Sequence, residues 1–265
     1  MRKLIFIIRG PNYGVFGCCT SIPSRPSQSF APEMRSVIKK LDNRGGRQNS
    51  LNTHFQFDLN GKRFAYCRIR KNGCSAMQRL IIETSPYKQH GSASEYEFLR
   101  KHHRVPKMNA LRSANHRILV IRDPVERIFS LFTNKFVQRI GNVGIFNSYR
   151  LVTGKDPNTA SFRDFVVDYV SRLGDVVLDP HVWPQHWHLC PVVYDCVVQL
   201  GELSEGMAEI FGNELARQFF HDKINPSQEF DVWADPEMFT RISTIYAEDI
   251  RMMESIELAQ THTSK

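Results

Sequence analysis

The sequence predicts an α/β protein with a mainly parallel central sheet and helices on both faces. Three observations predict it. Apolar runs of strand length alternate with stretches of helical period along most of the chain. The run Ile118 to Ile121 is apolar throughout, as in a strand covered on both sides. Polar turns follow two strands, at Lys71–Ser75 and at Arg122–Pro124, the edge where parallel sheets gather their ligands.

Taken in order, residues 9–53 are rich in Gly, Pro, Ser, Asn and Arg, and residues 1–53 read as a loosely ordered arm with one short helix over 33–41. A single α/β domain over 54–265 follows. HFQFDLNGKRFAYCRIR forms two strands about a tight Asn60-Gly61 turn. Met77, Leu80 and Ile81 recur at helical spacing, so a helix runs from Ser75 to Glu83. After a polar loop, Ser94 caps a helix to Lys101, with Glu97 completing a capping box, and a helical piece covers Lys107–Ala114. Arg117–Ile121 is the central strand. Pro124 opens the next helix, whose buried stripe is Val125, Ile128, Phe129, Phe132, Phe136 and Ile140. Residues 141–158 read as a long loop beside the substrate. Ser161 caps a helix to Leu173, a strand covers Cys196–Leu200, and helices cover Ser204–Phe211 and Pro236–Ile256.

The composition, 42% hydrophobic and 23% charged, is that of a globular protein. Its 35 basic and 27 acidic side chains leave +8, which favours anionic partners: a phosphorylated cofactor, an acidic polysaccharide, nucleic acid or an anionic membrane. Six scattered cysteines with no CxxC pair suit reduced thiols. The N-terminal apolar run, Leu4 to Ile8, is shorter than the roughly 7–15 residues of a signal-peptide core, and no run nears the roughly 20 residues of a membrane span. No transmembrane segment is expected.

Both polar turns suit phosphate. A helix N-terminus offers free N–H groups and the positive end of its dipole. At the first turn, Arg70-Lys71-Asn72-Gly73-Cys74-Ser75 adds a lysine, a glycine for close backbone approach and a hydroxyl, with Arg79 one helical turn beyond Ser75. At the second, Arg122 supplies a guanidinium fork and Ser130 a hydroxyl. GxxxxGK[ST] is absent, which disfavours a nucleoside triphosphate–Mg²⁺ enzyme.

RKNGCS and RDPVERIFSLFTNKF together resemble the two cofactor signatures of the sulfotransferases that use 3′-phosphoadenosine 5′-phosphosulfate (PAPS), in particular the chondroitin and dermatan type of carbohydrate sulfotransferase. A third block of that family is matched by Asp179, His181, Pro184, Gln185, Cys190, Asp195, Val197, Glu202 and Leu203. The three blocks fall in the family's order over residues 64–203. Departures are Arg70 for a proline, Met77 for an aromatic residue, Gln78 for a lysine, and a tryptophan shifted by one position at Val182-Trp183.

The resemblance implies a P-loop-like, three-layer fold and in-line transfer of a sulfuryl group from PAPS to a carbohydrate hydroxyl. It implies a 5′-phosphosulfate site at Lys71, Asn72, Gly73, Cys74, Ser75 and Arg79, with Lys71 stabilising the leaving phosphate. Arg122 and Ser130 would take the 3′-phosphate, and His181 and Gln185 would lie near the acceptor. No metal is implied. The general base is expected between the two phosphate segments: His103 first, His102 next, with Glu97 and His116 also in range. The His181, His186, His188 and Cys190 cluster lacks CxxC or HExxH spacing, which argues against zinc. A family member that binds PAPS or a glycan without catalysis is one alternative. A basic nucleic-acid-binding protein is another, although no helix-turn-helix, zinc-finger or RNA-binding signature is present. Animal members of the family carry a Golgi anchor, so a chain without one is expected to be cytoplasmic and bacterial, or Golgi-luminal if an anchor precedes it.

Overall fold

The computed structural model describes residues 6–7, 50–87, 94–221 and 235–263, with side chains at 51–87, 94–221 and 235–256. Of the arm, only Phe6–Ile7 (β1) and a 3₁₀ turn at Ser50–Thr53 are described; the helix expected at 33–41 lies outside these residues, as do Cys18 and Cys19. Strands β2 (His54–Leu59) and β3 (Lys62–Cys67) form the expected hairpin. Its turn places Asn60 and Gly61 at φ of 50° and 72°, the left-handed pair such hairpins require.

From β3 the chain runs through α1 (Cys74–Glu83), α2 (Glu95–His102) and α3 (Met108–Arg112) to β4 (His116–Ile121). Ser94 and Glu97 form the capping box at α2. Next come α4 (Pro124–Phe132), capped by Asp123 with Pro124 in its first turn, and α5 (Val143–Thr153). Helix α6 begins at Phe162–Asp164 under a Ser161–Asp164 capping box, widens into a π-type turn over Phe165–Tyr169 and ends in a 3₁₀ turn at Val170–Arg172. Then follow β5 (Val193–Tyr194), β6 (Cys196–Gln199), α7 (Leu203–Phe211), α8 (Asn213–Phe220), α9 (Pro236–Ile245) and α10 (Ala247–Thr263).

The sheet order is β2-β3-β4-β6. β2 is the antiparallel edge, and β3, β4 and β6 run parallel. Alternate side chains of the inner strands feed two cores, as a sheet covered on both faces requires. Phe64, Tyr66, Ile118, Val120 and Val198 pack with α1, α7 and α8, while Ala65, Cys67, Leu119 and Ile121 pack with α3 and the 190–194 segment. A third apolar cluster joins α4, α5, α6 and α9 beyond the sheet. The fold is therefore the α/β, P-loop-like, three-layer arrangement. No helix among the described residues is long and apolar enough to cross a membrane.

Three sequence expectations are corrected. The loop expected at 141–158 contains α5, because Ile145, Phe146 and Tyr149 have the third cluster to bury against. Ile140 leaves the α4 stripe and is 49% exposed: a π-type turn at Thr133–Val137 and a left-handed Arg139 (φ 57°) end the helical period before it. The long C-terminal helix breaks at Tyr246, and α8 is an additional helix.

Candidate functional site

The first phosphate-type corner follows β3. Lys71 and Gly73 both take left-handed backbone, at φ of 70° and 68°. A non-glycine residue there carries strain of about 1–2 kcal/mol, a cost characteristic of ligand loops. A Cβ at Gly73 would sit 2.9 Å from Leu203 Cδ2 and 3.1 Å from Leu200 Cδ1, so those two side-chain ends would have to shift for any other residue. Helix α1 starts immediately afterwards with no side-chain cap and no acidic residue in its first turn, so its leading N–H groups remain available to an anion.

The second corner follows β4. Arg122 Nη1 donates to Lys71 O at 3.3 Å, which joins the two corners directly. Arg122 Nε is buried with no hydrogen-bond acceptor; Glu126 Oε2 lies 3.5 Å away without hydrogen-bond geometry. Ser130, two turns along α4, is buried at the same cleft.

Gln185 ties the corners together from beneath. Its Oε1 accepts from Asn72 Nδ2 at 2.6 Å and from Arg122 N at 3.1 Å, and its Nε2 donates to Arg122 O at 2.8 Å. Asn72 Nδ2 also donates to Val120 O on β4. Gln185 opens a 3₁₀ turn whose first two N–H groups, those of Gln185 and His186, donate to the buried carboxylate of Asp249 on α10 at 2.7 and 3.0 Å. Burial alone would push that carboxyl up, but the His186 ring, Arg127 and these N–H groups hold it below its ordinary value. Fully buried Arg127 donates to His181 O and Trp183 O, fixing the bend that leads into the turn.

Between the corners lies a cleft of about 750 Å³. Arg68, Arg70, Lys71, Arg122 and Lys135 line it, against one carboxylate, Glu205. Burial, together with nearby Lys135 and Arg122, brings Lys71 down to about 8. Burial likewise lowers Arg70, Arg122 and Lys135. Buried cations crowded together in this way favour an incoming anion.

Of the residues expected at the site, the cleft gathers Lys71, Gly73, Cys74, Ser75, Arg122, Ser130 and His181. Four of the expected residues have side chains that lie off the cleft lining. Asn72 and Gln185 are fully buried struts and not lining groups. Arg79 is 43% exposed and faces Glu83 at 4.0 Å, away from the cleft. His103 is buried where α2 meets edge strand β2; its Nδ1 is 2.9 Å from Gln56 O and its Nε2 2.8 Å from Ser85 Oγ, which occupies both nitrogens. The other base candidates are also elsewhere: His102 stacks on Tyr87, Glu97 caps α2 and His116 stacks on Phe64.

The His181–Cys190 cluster does not converge. His181 meets Asp179, His186 meets Asp249 and His188 is buried. Among the described residues the one group of three with ligand atoms within 4.8 Å of one another is His116, Asp195 and Cys196, and Arg117 already occupies both Asp195 oxygens.

A cleft with two joined anion grips calls for comparison with known families. The sulfotransferase family model matches residues 56–253. The chain belongs to the sulfotransferase family. The matched region of this sulfotransferase-family chain spans both corners, the Gln185 bridge and Asp249. No curated protein and no solved structure matches the chain. Sequence reasoning had no means of finding Asp249, Arg127 or the Asp179–Arg70 contact, since each partner lies at least 54 residues away in the chain.

Proposed function

We propose that the protein transfers the sulfuryl group of PAPS to a hydroxyl of a carbohydrate by in-line displacement. The observation that carries this reading is the pair of anion grips, Lys71–Ser75 and Arg122 with Ser130, facing one cleft and joined by the Arg122–Lys71 hydrogen bond. A donor with phosphates at both 5′ and 3′ positions fits two grips, whereas a triphosphate needs one continuous cradle and a metal. Lys71, Ser75 and the first-turn N–H groups of α1 would hold the 5′-phosphosulfate, and Lys71 would stabilise charge on the departing phosphate. Arg122, with its unsatisfied Nε, and Ser130 would hold the 3′-phosphate. The cations fixed along the cleft, Lys71 and Arg122 among them, are assigned the charge stabilisation.

Arg68, Arg70 and Lys135 exceed what the two phosphates need, which supports an anionic acceptor such as an acidic polysaccharide of the chondroitin or dermatan kind. Cys67, Cys74, Cys190 and Cys196 are free thiols, in keeping with a reducing compartment such as the cytoplasm.

The test begins with thermal stabilisation by 3′-phosphoadenosine 5′-phosphate against ATP, followed by incubation with labelled PAPS and a glycosaminoglycan panel. Strong stabilisation by the 3′-phosphorylated nucleotide alone, with sulfation lost in Lys71→Ala and Arg122→Ala proteins that still fold, is expected. No donor binding would overturn the reading. Binding without turnover across the panel would favour a non-catalytic family member.

A further inference from the structure

The sulfuryl-transfer reading leaves open which group deprotonates the acceptor, and none of the bases expected from chain order lines the cleft. Three imidazole or carboxylate side chains line the cleft: His181, His221 and Glu205. His221 and Glu205 are exposed, and no hydrogen bond among the described residues orients either. His181 is different. Its Nδ1 lies 2.5 Å from Asp179 Oδ1, a contact that requires a proton between the two atoms. Asp179 is fixed in turn: its N–H donates to Tyr169 Oη at 2.9 Å, and Oδ1 accepts the His181 N–H at 2.8 Å. Arg70 Nη1 lies 3.5 Å from the same carboxylate and 2.8 Å from the same Nδ1; a guanidinium only donates, so with the proton on Nδ1 its hydrogen bond goes to Asp179 and not to the ring. The Nε2 of His181 makes no hydrogen bond among the described residues.

We propose that His181 is the general base of this protein, with Asp179 as the positioning residue that holds its ring in the Nδ1–H form; the assignment rests on the sulfuryl-transfer reading. With the proton on Nδ1, the lone pair is on Nε2, the nitrogen left for the acceptor. As the acceptor oxygen bonds to sulfur, its proton passes to Nε2. The bond between sulfur and the bridging oxygen of the 5′-phosphate breaks, and its electron pair leaves with 3′-phosphoadenosine 5′-phosphate. The imidazolium formed beside the Asp179 carboxylate then returns its proton to solvent.

The surroundings favour this assignment. Burial, with the charges of Arg70 and Lys135, holds His181 down at about 4 against the opposing pull of Asp179, so the ring is neutral at pH 7. Asp179 stays ionised because its contacts with His181 and Arg70 outweigh its burial. An anionic donor in the cleft offsets the cations and raises the basicity of His181 when the acceptor arrives. Arg70, which stands where the resembled motif has proline, completes the Asp179 contact.

The experiment has two arms and does not require the acceptor to be known. In the first, long-range ¹H–¹⁵N spectra of the whole protein at pH 7 are compared with those of His181→Gln to assign the ring. A neutral Nδ1–H tautomer is expected, while an Nε2–H tautomer or an imidazolium overturns the proposal. In the second, PAPS breakdown with water as acceptor is measured beside calorimetric binding of 3′-phosphoadenosine 5′-phosphate. His181→Gln should lower turnover by about 10²–10⁴-fold and flatten the acidic limb of the pH profile, with nucleotide affinity unchanged. Asp179→Asn should lower turnover less and move that limb. If His181→Gln stays within threefold of the parent with its acidic limb intact, the base is another group. If the parent protein fails to bind the nucleotide, the sulfuryl-transfer reading falls, and the tautomer still reports on the His181–Asp179 pair.

Discussion

Replacing Gln185 should separate the two phosphate grips. In Gln185→Ala, Asn72 keeps Val120 O as a partner, but Arg122 N and Arg122 O both lose theirs. Two part-buried backbone groups left without partners, at about 1–3 kcal/mol each, give a loss of about 2–6 kcal/mol. In a chain of this size that lowers Tm by about 4–24 °C, since each kcal/mol corresponds to about 2–4 °C. Gln185→Glu keeps the shape and the Oε1 contacts but sets an oxygen against Arg122 O, so it should fall between the parent and the alanine variant. The discriminating assay compares two nucleotides by calorimetry. 3′-Phosphoadenosine 5′-phosphate must reach both grips, whereas adenosine 5′-phosphate needs one. Gln185→Ala should weaken the first about tenfold or more, equivalent to about 1.4 kcal/mol, and leave the second nearly unchanged. Equal weakening of both nucleotides, or an unchanged Tm, would refute Gln185 as the spacer.

Lys71, lowered to about 8 mainly by burial, implies a pH limb in donor binding. The protonated form attracts the anion, so nucleotide affinity should be level below about pH 8 and fall above it, by up to tenfold per unit, until the raised pKa of the complex is reached; calorimetry of the parent beside Lys71→Arg checks this, and the arginine variant should show no such limb. His103, buried and bound on both ring nitrogens, should behave as a strut: His103→Ala is expected to lose about 1–3 kcal/mol of stability in denaturant melts while its PAPS turnover stays within threefold of the parent.

How much of this was legible depends on the range of the interaction that fixes each feature. Turn and cap chemistry acts over three or four residues, so the Asn60-Gly61 hairpin, the capping boxes at Ser94 and Ser161, and Pro124 at the start of α4 could all be read from the chain. Both phosphate corners belong to this class, because each is a strand end, a polar turn and a helix start. Helix α5 does not: flanked by Gly141, Asn142 and Gly154, it is held by burial of Ile145, Phe146 and Tyr149 against residues from α4, α6 and α9. The overshoot at Ile140 has the same origin, since a periodic stripe carries no mark of the π-type turn and left-handed residue that end it.

The base is less legible still. Position along the chain between the two signatures pointed to His103, but position in the sheet decides access. In the order β2-β3-β4-β6, the 102–105 segment runs beside edge strand β2, with Gln56 N donating to His103 O at 2.6 Å and Val105 N to His54 O at 3.0 Å. The segment before β5 and β6 instead passes across the carboxyl ends of β3 and β4, held there by Arg127 and by Asp249 through the turn after it. His181 therefore reaches the cleft although it follows both signatures in sequence. Arg70 is informative for the same reason. In sequence it is only a departure from a family motif, but in space it meets Asp179, 109 residues away, and gives the carboxylate beside His181 a cationic partner. A substitution that counts against the resemblance at one position thus strengthens the chemical case for the site, because Arg70 and Asp179 can be judged only as a pair.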